Sequence, residues 1–266
     1  MEFERVKVDV HGKVGVLTLN HPEVMNAVSP EMLKGLISAM TYVERADTGL
    51  RALVMTGEGR GFCAGANLSG GAGSNAFAPE ERDAGAALET AYHPFLRRLR
   101  NLQIPLITAV NGPAAGVGMS FALMGDMILA GKSAFFLQAF RRIGLVPDGG
   151  STWLLPRFVG LARAKELSLL GEKLPAAKAL EWGLINRVYD DASLMPEAMK
   201  LADELAHGPT VALGLMRKLY WDSPLNTYEE QLDAERQAQK LAGRADDFAE
   251  GVAAFLQKRP AEFKGK

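Results

Sequence analysis

Three short segments of the chain combine glycine with residues suited to stabilising or moving charge. Residues 57–68 read GEGRGFCAGANL, residues 111–118 read NGPAAGVG, and residues 144–151 read GLVPDGGS. Glycine-rich loops let backbone N–H groups approach a ligand closely, and a helix N-terminus favours developing negative charge. The first two segments therefore predict anion-stabilising loops, and the third places a carboxylate, Asp148, after Pro147 and before two glycines.

Each of these segments taken alone also fits an ordinary turn. Asp148 in isolation is more often a turn residue or the N-cap of a helix, here one starting near Gly150. Other catalytic motifs fit less well. The stretch around Gly118 lacks the third glycine of a dinucleotide fingerprint, and the sequence has no phosphate-binding G-x-x-x-x-G-K-[ST] or nucleophile G-x-S-x-G pattern. Ser120 is therefore interpreted as a pocket or packing residue.

Composition limits the kinds of partner that the chain can attract. Its 266 residues are 48% hydrophobic and 23% charged, which is typical of a globular protein. The net charge of −1 gives no field that attracts nucleic acid or an anionic membrane, so an anionic ligand must be held locally. Neither a signal peptide nor a membrane span is expected, because no suitable apolar run occurs. Cys63 is the only cysteine and the histidines are scattered, which predicts a cytoplasmic protein without a metal site.

Alternating strand and helix patterns predict an α/β fold. A hairpin is expected over residues 3–20 with its turn at 11–13, and Ser29-Pro30 is typical of a helix start. Strands are predicted at 52–56 and 105–110, with a helix from about 79 to 100 between them. The glycine-rich stretch 68–74 is interpreted as an active-site loop or lid, or else as a plain surface linker. From about residue 196 the pattern is helical, with helices at 196–207, 210–221, 227–242 and 246–257. This predicts a core at 1–200 and a helical subdomain at 201–266.

The segments in this order resemble the crotonase, or enoyl-CoA hydratase/isomerase, family. The stretches that carry the resemblance are Val14–Ala27, Gly61–Leu68, Asn111–Gly118, Arg142–Arg157, Ala179–Val188 and Leu232–Lys266. The resemblance implies a spiral of repeated ββα units with C-terminal helices that mediate assembly into a homotrimer or a hexamer. It also implies an acyl-coenzyme A substrate and no separate cofactor.

Site residues follow from the same resemblance. The two N–H groups of an oxyanion hole fall on Ala66 and Val117, where the family usually has glycine at the second position. The side chain of Val117 is therefore expected to narrow the pocket. The implied substrate-binding and coenzyme A-binding positions are Ala27, Ala64, Gly65, Ala66, Asn67, Leu68, Gly116, Val117, Ser120, Phe140, Phe263 and Lys266.

Ser120 and Phe140 stand where hydratases of the family carry two glutamates that handle water. Neither side chain is an acid or base, so the resemblance leaves Asp148 as the carboxylate at a catalytic position. The resemblance is greatest to the isomerases of aerobic phenylacetate degradation. It implies that the chain shifts a double bond or rearranges a ring-epoxide to an oxepin. Met119, Phe121, Phe136 and Phe140 are expected to desolvate Asp148, although Phe121 and Phe136 fit core packing equally well.

Two alternatives to an isomerase stay open at this point. The chain could be a hydratase in which Asp148 or a chain of waters replaces the glutamates, or a non-catalytic protein of the same fold that binds acyl-coenzyme A. The last four residues, Phe263 to Lys266, resemble a tail that reaches the site of a neighbouring subunit. A frayed, solvated terminus explains them equally well.

Overall fold

A computed structural model describes residues 1–68 and 83–266 of the chain. It confirms the predicted α/β class. The strands are β1 (Glu2–Phe3), β2 (Val6–His11), β3 (Val14–Leu19), β4 (Ala52–Gly57), β5 (Leu106–Val110), β6 (Pro113–Ala115), β7 (Met127–Gly131), β8 (Phe135–Leu137), β9 (Lys173–Pro175) and β10 (Arg187–Tyr189). The helices are α1 (Pro30–Val43), α2 (His93–Asn101), α3 (Val117–Ala122), α4 (Ser151–Leu170), α5 (Ala176–Glu181), α6 (Asp191–Ala206), α7 (Thr210–Asp222), α8 (Tyr228–Ala242) and α9 (Asp246–Gln257).

A seven-stranded sheet in the order β1-β2-β3-β4-β5-β7-β10 forms the centre of the protein, and β6-β8-β9 form a smaller sheet. Strands β1 to β3 are antiparallel, whereas all neighbours from β3 to β10 are parallel. Every residue of β3 and β4 is buried, as expected of parallel strands covered on both faces. The carboxyl ends of β4 and β5 lie at the same edge, where the first two glycine segments begin.

Local signals in the sequence explain how the first elements form. In the hairpin His11 pairs with Val14, and Gly12 turns the chain at a φ of +61°. Helix α1 begins at Pro30, and the Ser29 hydroxyl accepts a hydrogen bond from the Met32 N–H at 3.3 Å. Both features confirm the predicted hairpin and helix start.

Helix α6 covers the face of the sheet opposite the main core, where Leu194 and Ala198 pack with Val54 and Ile107. The predicted start of this helix at Pro196 is wrong, because the helix begins at Asp191 and includes the proline. Proline is most favourable in a first turn, which makes it a misleading marker here. The expected boundary at residue 200 falls within α6, and the division into 1–200 and 201–266 stays a prediction.

The last three helices confirm the predicted helical C-terminus to within one residue at each end. Arg217 of α7 joins them to the sheet. Its guanidinium donates to the backbone carbonyls of Leu99 and Leu102 and forms an ion pair with Asp126. Among residues 1–68 and 83–266, no helix is long and apolar enough to cross a membrane, and no cluster of acidic, histidine and cysteine side chains could hold a metal ion.

Candidate active site

The first two glycine segments meet backbone to backbone. A Cβ on Gly116 would lie 3.8 Å from the Cα of Gly65, and a Cβ on Gly65 would lie 3.0 Å from the carbonyl oxygen of Ala115. The φ angles are +102° at Gly65 and +53° at Gly116, which favour glycine. Ala66 follows Gly65 and Val117 follows Gly116, so this contact places Ala66 and Val117 on adjoining segments.

The backbone N–H groups of Ala66 and Val117 donate no hydrogen bond to an acceptor in the described ranges 1–68 and 83–266. Val117 is the first residue of α3, where an N–H has no partner within the helix. The residues on either side of Ala66 form a short ribbon with Val28 that does not use the Ala66 N–H. The Val28 N–H donates to the Gly65 carbonyl at 2.7 Å, and the Asn67 N–H donates to the Val28 carbonyl at 2.8 Å. Two unpaired donors on adjoining loops suit an oxyanion.

The same ribbon gathers the predicted binding residues of the first segment. The Ala64 N–H donates to the Met25 carbonyl at 3.0 Å, which holds the ribbon against the segment preceding Val28. Ala27, Ala64 and Asn67 are half-buried and Gly65 is buried. Leu68 is 49% exposed at the end of this ribbon. The rest of the proposed lid, residues 69–74, lies outside the described residues.

Helix α3 lies directly on the first loop. A Cβ on Gly118 would lie 2.3 Å from the carbonyl oxygen of Cys63 and 2.7 Å from its Cβ, so any side chain at 118 would force the two apart. Cys63 is fully buried, and this burial raises the pKa of its thiol to about 12. Cys63 is thus a packing residue beneath the two glycine-rich loops rather than a nucleophile.

Asp148 lies in a turn that ends at the N-terminus of α4. Gly149 and Gly150 both adopt positive φ angles, +59° and +81°, and Gly150 occupies the N-cap position. Asp148 is therefore not the N-cap. Its Oδ1 atom is buried and has no hydrogen-bond partner within residues 1–68 and 83–266. Burial raises the pKa of the Asp148 carboxyl from 3.8 to about 6, although the charge of His93 acts in the opposite direction.

The four apolar residues expected around Asp148 divide into two groups. Phe121 and Phe136 are fully buried in the main core, as is Met119, and the ring of Phe121 meets that of Phe95 edge to face at 5.1 Å. Core packing is thus the correct interpretation for these residues. The ring of Phe140 does reach the glycine loops, lying 3.7 Å from where a Cβ on Gly116 would stand.

Two further residues near Asp148 were not identified from the sequence. A π-helical turn over Leu88–Tyr92 precedes α2, and both Tyr92 and His93 lie close enough to Asp148 to interact with it electrostatically. Burial, reinforced by the negative charge of Asp148, raises the pKa of the Tyr92 phenol to about 12. Such turns are frequent at functional sites, but nothing in the pattern of residues 83–100 distinguishes one from ordinary α-helix.

The C-terminal tail is docked onto its own chain rather than frayed. The Asp247 carboxylate accepts hydrogen bonds from the backbone N–H groups of Lys264 and Gly265 at 2.6 and 2.8 Å. The Asp247 N–H in turn donates to the Lys266 carbonyl at 3.1 Å. The ring of Phe263 lies 3.4 Å from where a Cβ on Gly251 would stand.

The docked tail and the glycine loops lie at opposite ends of β4. Arg51, immediately before β4, donates to the Phe263 carbonyl at 3.2 Å, whereas the loop to Ala66 leaves the other end of the strand. Six residues of strand span roughly 20 Å. A single chain therefore holds Phe263 and Lys266 away from the loop that carries Ala66.

Comparison with known proteins places this geometry in context. The family model described as enoyl-CoA hydratase/isomerase matches residues 9–266. The 1,2-epoxyphenylacetyl-CoA isomerase of Escherichia coli K12 is 48% identical, with 100% of both chains covered. The 2,3-dehydroadipyl-CoA hydratase of the same organism is 34% identical, with 96% of each chain covered. A crystal structure of a putative enoyl-CoA hydratase/isomerase from Mycobacterium abscessus matches with a TM-score of 0.91 and 32% identity, covering 98% of this chain and 100% of that one.

Proposed function

We propose a mechanism by which this chain acts as an isomerase. The chain belongs to the enoyl-CoA hydratase/isomerase family. Asp148 is the acid/base, and the N–H groups of Ala66 and Val117 bind the thioester oxygen of an acyl-coenzyme A. The observation that carries this proposal is the buried, unpartnered Oδ1 of Asp148, in a turn packed against the helix that begins at Val117. No separate cofactor enters the reaction, since coenzyme A arrives as part of the substrate.

The proposed chemistry moves one proton. The Asp148 carboxylate removes a proton from C2 of a 3-enoyl thioester, and the electron pair moves onto the thioester oxygen to form an enolate. The two N–H donors stabilise that oxygen, and losing one such donor typically costs about 100- to 1,000-fold in rate. The protonated Asp148 then returns the proton to C4, which leaves the double bond between C2 and C3.

Isomerisation is favoured over hydration because the site offers no carboxylate at positions 120 and 140. Ser120 and Phe140 are both buried, and neither can activate water as an acid or base. The 48% identity to the 1,2-epoxyphenylacetyl-CoA isomerase of E. coli supports a ring-epoxide of phenylacetyl-coenzyme A as one substrate. A 3-enoyl-coenzyme A is the other substrate that this arrangement would accept.

We further propose that the chain assembles as a homotrimer or a dimer of trimers in the cytoplasm. Large apolar side chains stand exposed on the C-terminal helices, among them Tyr220 at 81%, Phe255 at 82% and Leu256 at 74%. Patches of this kind typically mark protein interfaces. In such an assembly Phe263 and Lys266 would serve the acyl-coenzyme A site of a neighbouring subunit.

The decisive experiment compares Asp148→Asn with Asp9→Asn, a matched change at an exposed carboxylate on β2. Turnover of 3-hexenoyl-coenzyme A should fall about 100- to 10,000-fold in Asp148→Asn and stay unchanged in Asp9→Asn. Calorimetric affinity for hexanoyl-coenzyme A should be similar in both. Near wild-type turnover by Asp148→Asn would refute the assignment. Tight binding without turnover by the unmodified protein would indicate a non-catalytic binding protein.

A further inference from the structure

The first turn of α3 packs against the Asp148 turn, with Ser120 beside Gly149. We infer that Ser120 is a positioning residue for Asp148, and that this fit excludes a carboxylate at position 120. The inference deepens the proposed function and rests on it, because it explains how the chain commits to isomerisation.

A hydrogen bond carries the positioning. Ser120 is fully buried, and its hydroxyl donates to the Asp148 backbone carbonyl at 3.0 Å across 28 residues of sequence. The same carbonyl accepts the Ser151 hydroxyl at 2.8 Å and the Ser151 N–H at 3.1 Å. Ser151 belongs to the same turn, so its bonds fix the local shape only. The bond from Ser120 is the one that ties the turn to the helix bearing the Val117 N–H.

Close packing makes the fit specific. A Cβ on Gly149 would lie 2.7 Å from the Cβ of Ser120, 2.9 Å from its Oγ and 3.4 Å from Cγ2 of Val117. The side chains of Val117 and Ser120 thus face the backbone of the Asp148 turn. Any side chain at position 149 would therefore collide with Ser120, and glycine allows the turn to lie against α3. That the side chain of Val117 also narrows the substrate pocket stays a prediction.

A glutamate at position 120 would conflict with the turn in two ways. It carries three more heavy atoms than serine, at a fully buried position beside Gly149. It would also replace a hydroxyl donor by an ionised acceptor beside the Asp148 carbonyl, which leaves two acceptors facing each other. The observed Asp148 turn therefore fits a hydroxyl at position 120. A carboxylate that activates water at this position would be incompatible with the turn.

The test measures the isomerisation of 3-hexenoyl-coenzyme A by Ser120→Ala, with Ser151→Ala as the matched control. Ser120→Ala removes the tie between helix and turn without a clash. We expect its kcat to fall about 10- to 100-fold with KM nearly unchanged, because small displacements of a catalytic group have effects of this size. Ser151→Ala should change kcat by less than about threefold, since the Ser151 N–H still holds the carbonyl.

Two measurements separate positioning from a general loss of stability. The double variant Ser120→Ala/Asp148→Asn should be no slower than Asp148→Asn alone, because Ser120 acts only through Asp148. The acid limb of the kcat/KM profile of Ser120→Ala should move to lower pH, since a loosened turn exposes the carboxylate to water. Ser120→Glu should lose isomerase turnover without gaining hydration of crotonyl-coenzyme A.

The possible failures can be told apart. Retained turnover by Asp148→Asn would overturn the proposed function itself. With Asp148→Asn inactive, wild-type kcat in Ser120→Ala, or losses that multiply in the double variant, would overturn the positioning role alone. A Ser120→Glu protein that keeps isomerase turnover would show that the turn accommodates a carboxylate, which contradicts the exclusion.

Discussion

Trp153 of α4 stacks on Trp221 of α7, with ring centroids 5.8 Å apart and an interplanar angle of 11°. The Arg157 guanidinium lies 3.8 Å from the Trp153 ring centroid on α4, and that of Arg100 lies 6.0 Å from the Trp221 ring. Trp153 follows Asp148 by five residues, so the stack anchors the helix that continues from the Asp148 turn. Asp148 is thereby joined to the C-terminal helices as well as to α3.

We predict that the two tryptophans are energetically coupled. Trp153→Leu should lower the free energy of unfolding by about 1–3 kcal/mol, because it loses apolar burial and a ring contact. A double-mutant cycle with Trp221→Leu should give a coupling energy of about 0.5–1.5 kcal/mol. Urea denaturation measures both quantities. Trp182→Leu, whose ring meets Arg163 and Lys178, is the control and should be additive with Trp221→Leu. Strict additivity of the Trp153 and Trp221 changes would contradict the coupling.

The pH dependence of the reaction should follow Asp148. The general base must be deprotonated to accept a proton, and burial raises its pKa to about 6. The value of kcat/KM, which reports the free enzyme, should therefore be constant above about pH 7 and fall tenfold per pH unit well below pH 6. A stopped assay with 3-hexenoyl-coenzyme A over this range measures the limb. A limb near pH 4, the ordinary carboxyl value, would mean that Asp148 is solvated in the working enzyme.

Water should be a poor reactant at this site. We expect hydration of crotonyl-coenzyme A to be at least about 100-fold slower than isomerisation of 3-hexenoyl-coenzyme A, because general acid–base catalysis by a second carboxylate is missing. Both rates should be measured on one preparation. Comparable rates would mean that another group activates water, and the hydratase alternative would then be preferred.

The cations of the C-terminal tail should influence ligand binding more than folding. Deleting residues 263–266 removes the apolar contact of Phe263 and the partners of the buried Asp247 carboxylate, so the deletion should lower thermal stability as well as calorimetric affinity for acyl-coenzyme A. A Lys264→Ala/Lys266→Ala variant keeps the tail backbone and tests the cations alone. Unchanged affinity after deletion, or a fully active monomer in sedimentation, would rule out a shared site.

Several helix boundaries of the fold follow from short-range motifs that can be recognised in the sequence. The Ser29-Pro30 pair marks the start of α1, and Thr227 forms a capping box with Glu230 at the start of α8. These signals act within a few residues, so a single sequence reveals them. The start of α6 was mispredicted at Pro196 because a long-range contact, rather than a local motif, decides it. Packing of α6 on the sheet stabilises a helix that continues through the proline, and that packing is a tertiary effect.

The candidate site was predictable in its parts but not in its contacts. Glycines at 65, 116 and 149 indicated tight turns, and Asp148 was the available carboxylate. The bond from Ser120 to the Asp148 carbonyl joins residues 28 positions apart, and a serine followed by apolar residues gives no sign of it. The π-helical turn that ends at Tyr92 has no local signature either.

The burial of Cys63 has a practical consequence. The only cysteine of the chain has no exposed surface, and a pKa of about 12 keeps its thiol protonated at neutral pH. Thiol-directed dyes and cross-linkers react with exposed thiolates, so the native chain should be silent towards them. A single cysteine introduced at an exposed position such as Lys264 would then be the sole labelling site, without first replacing a native residue.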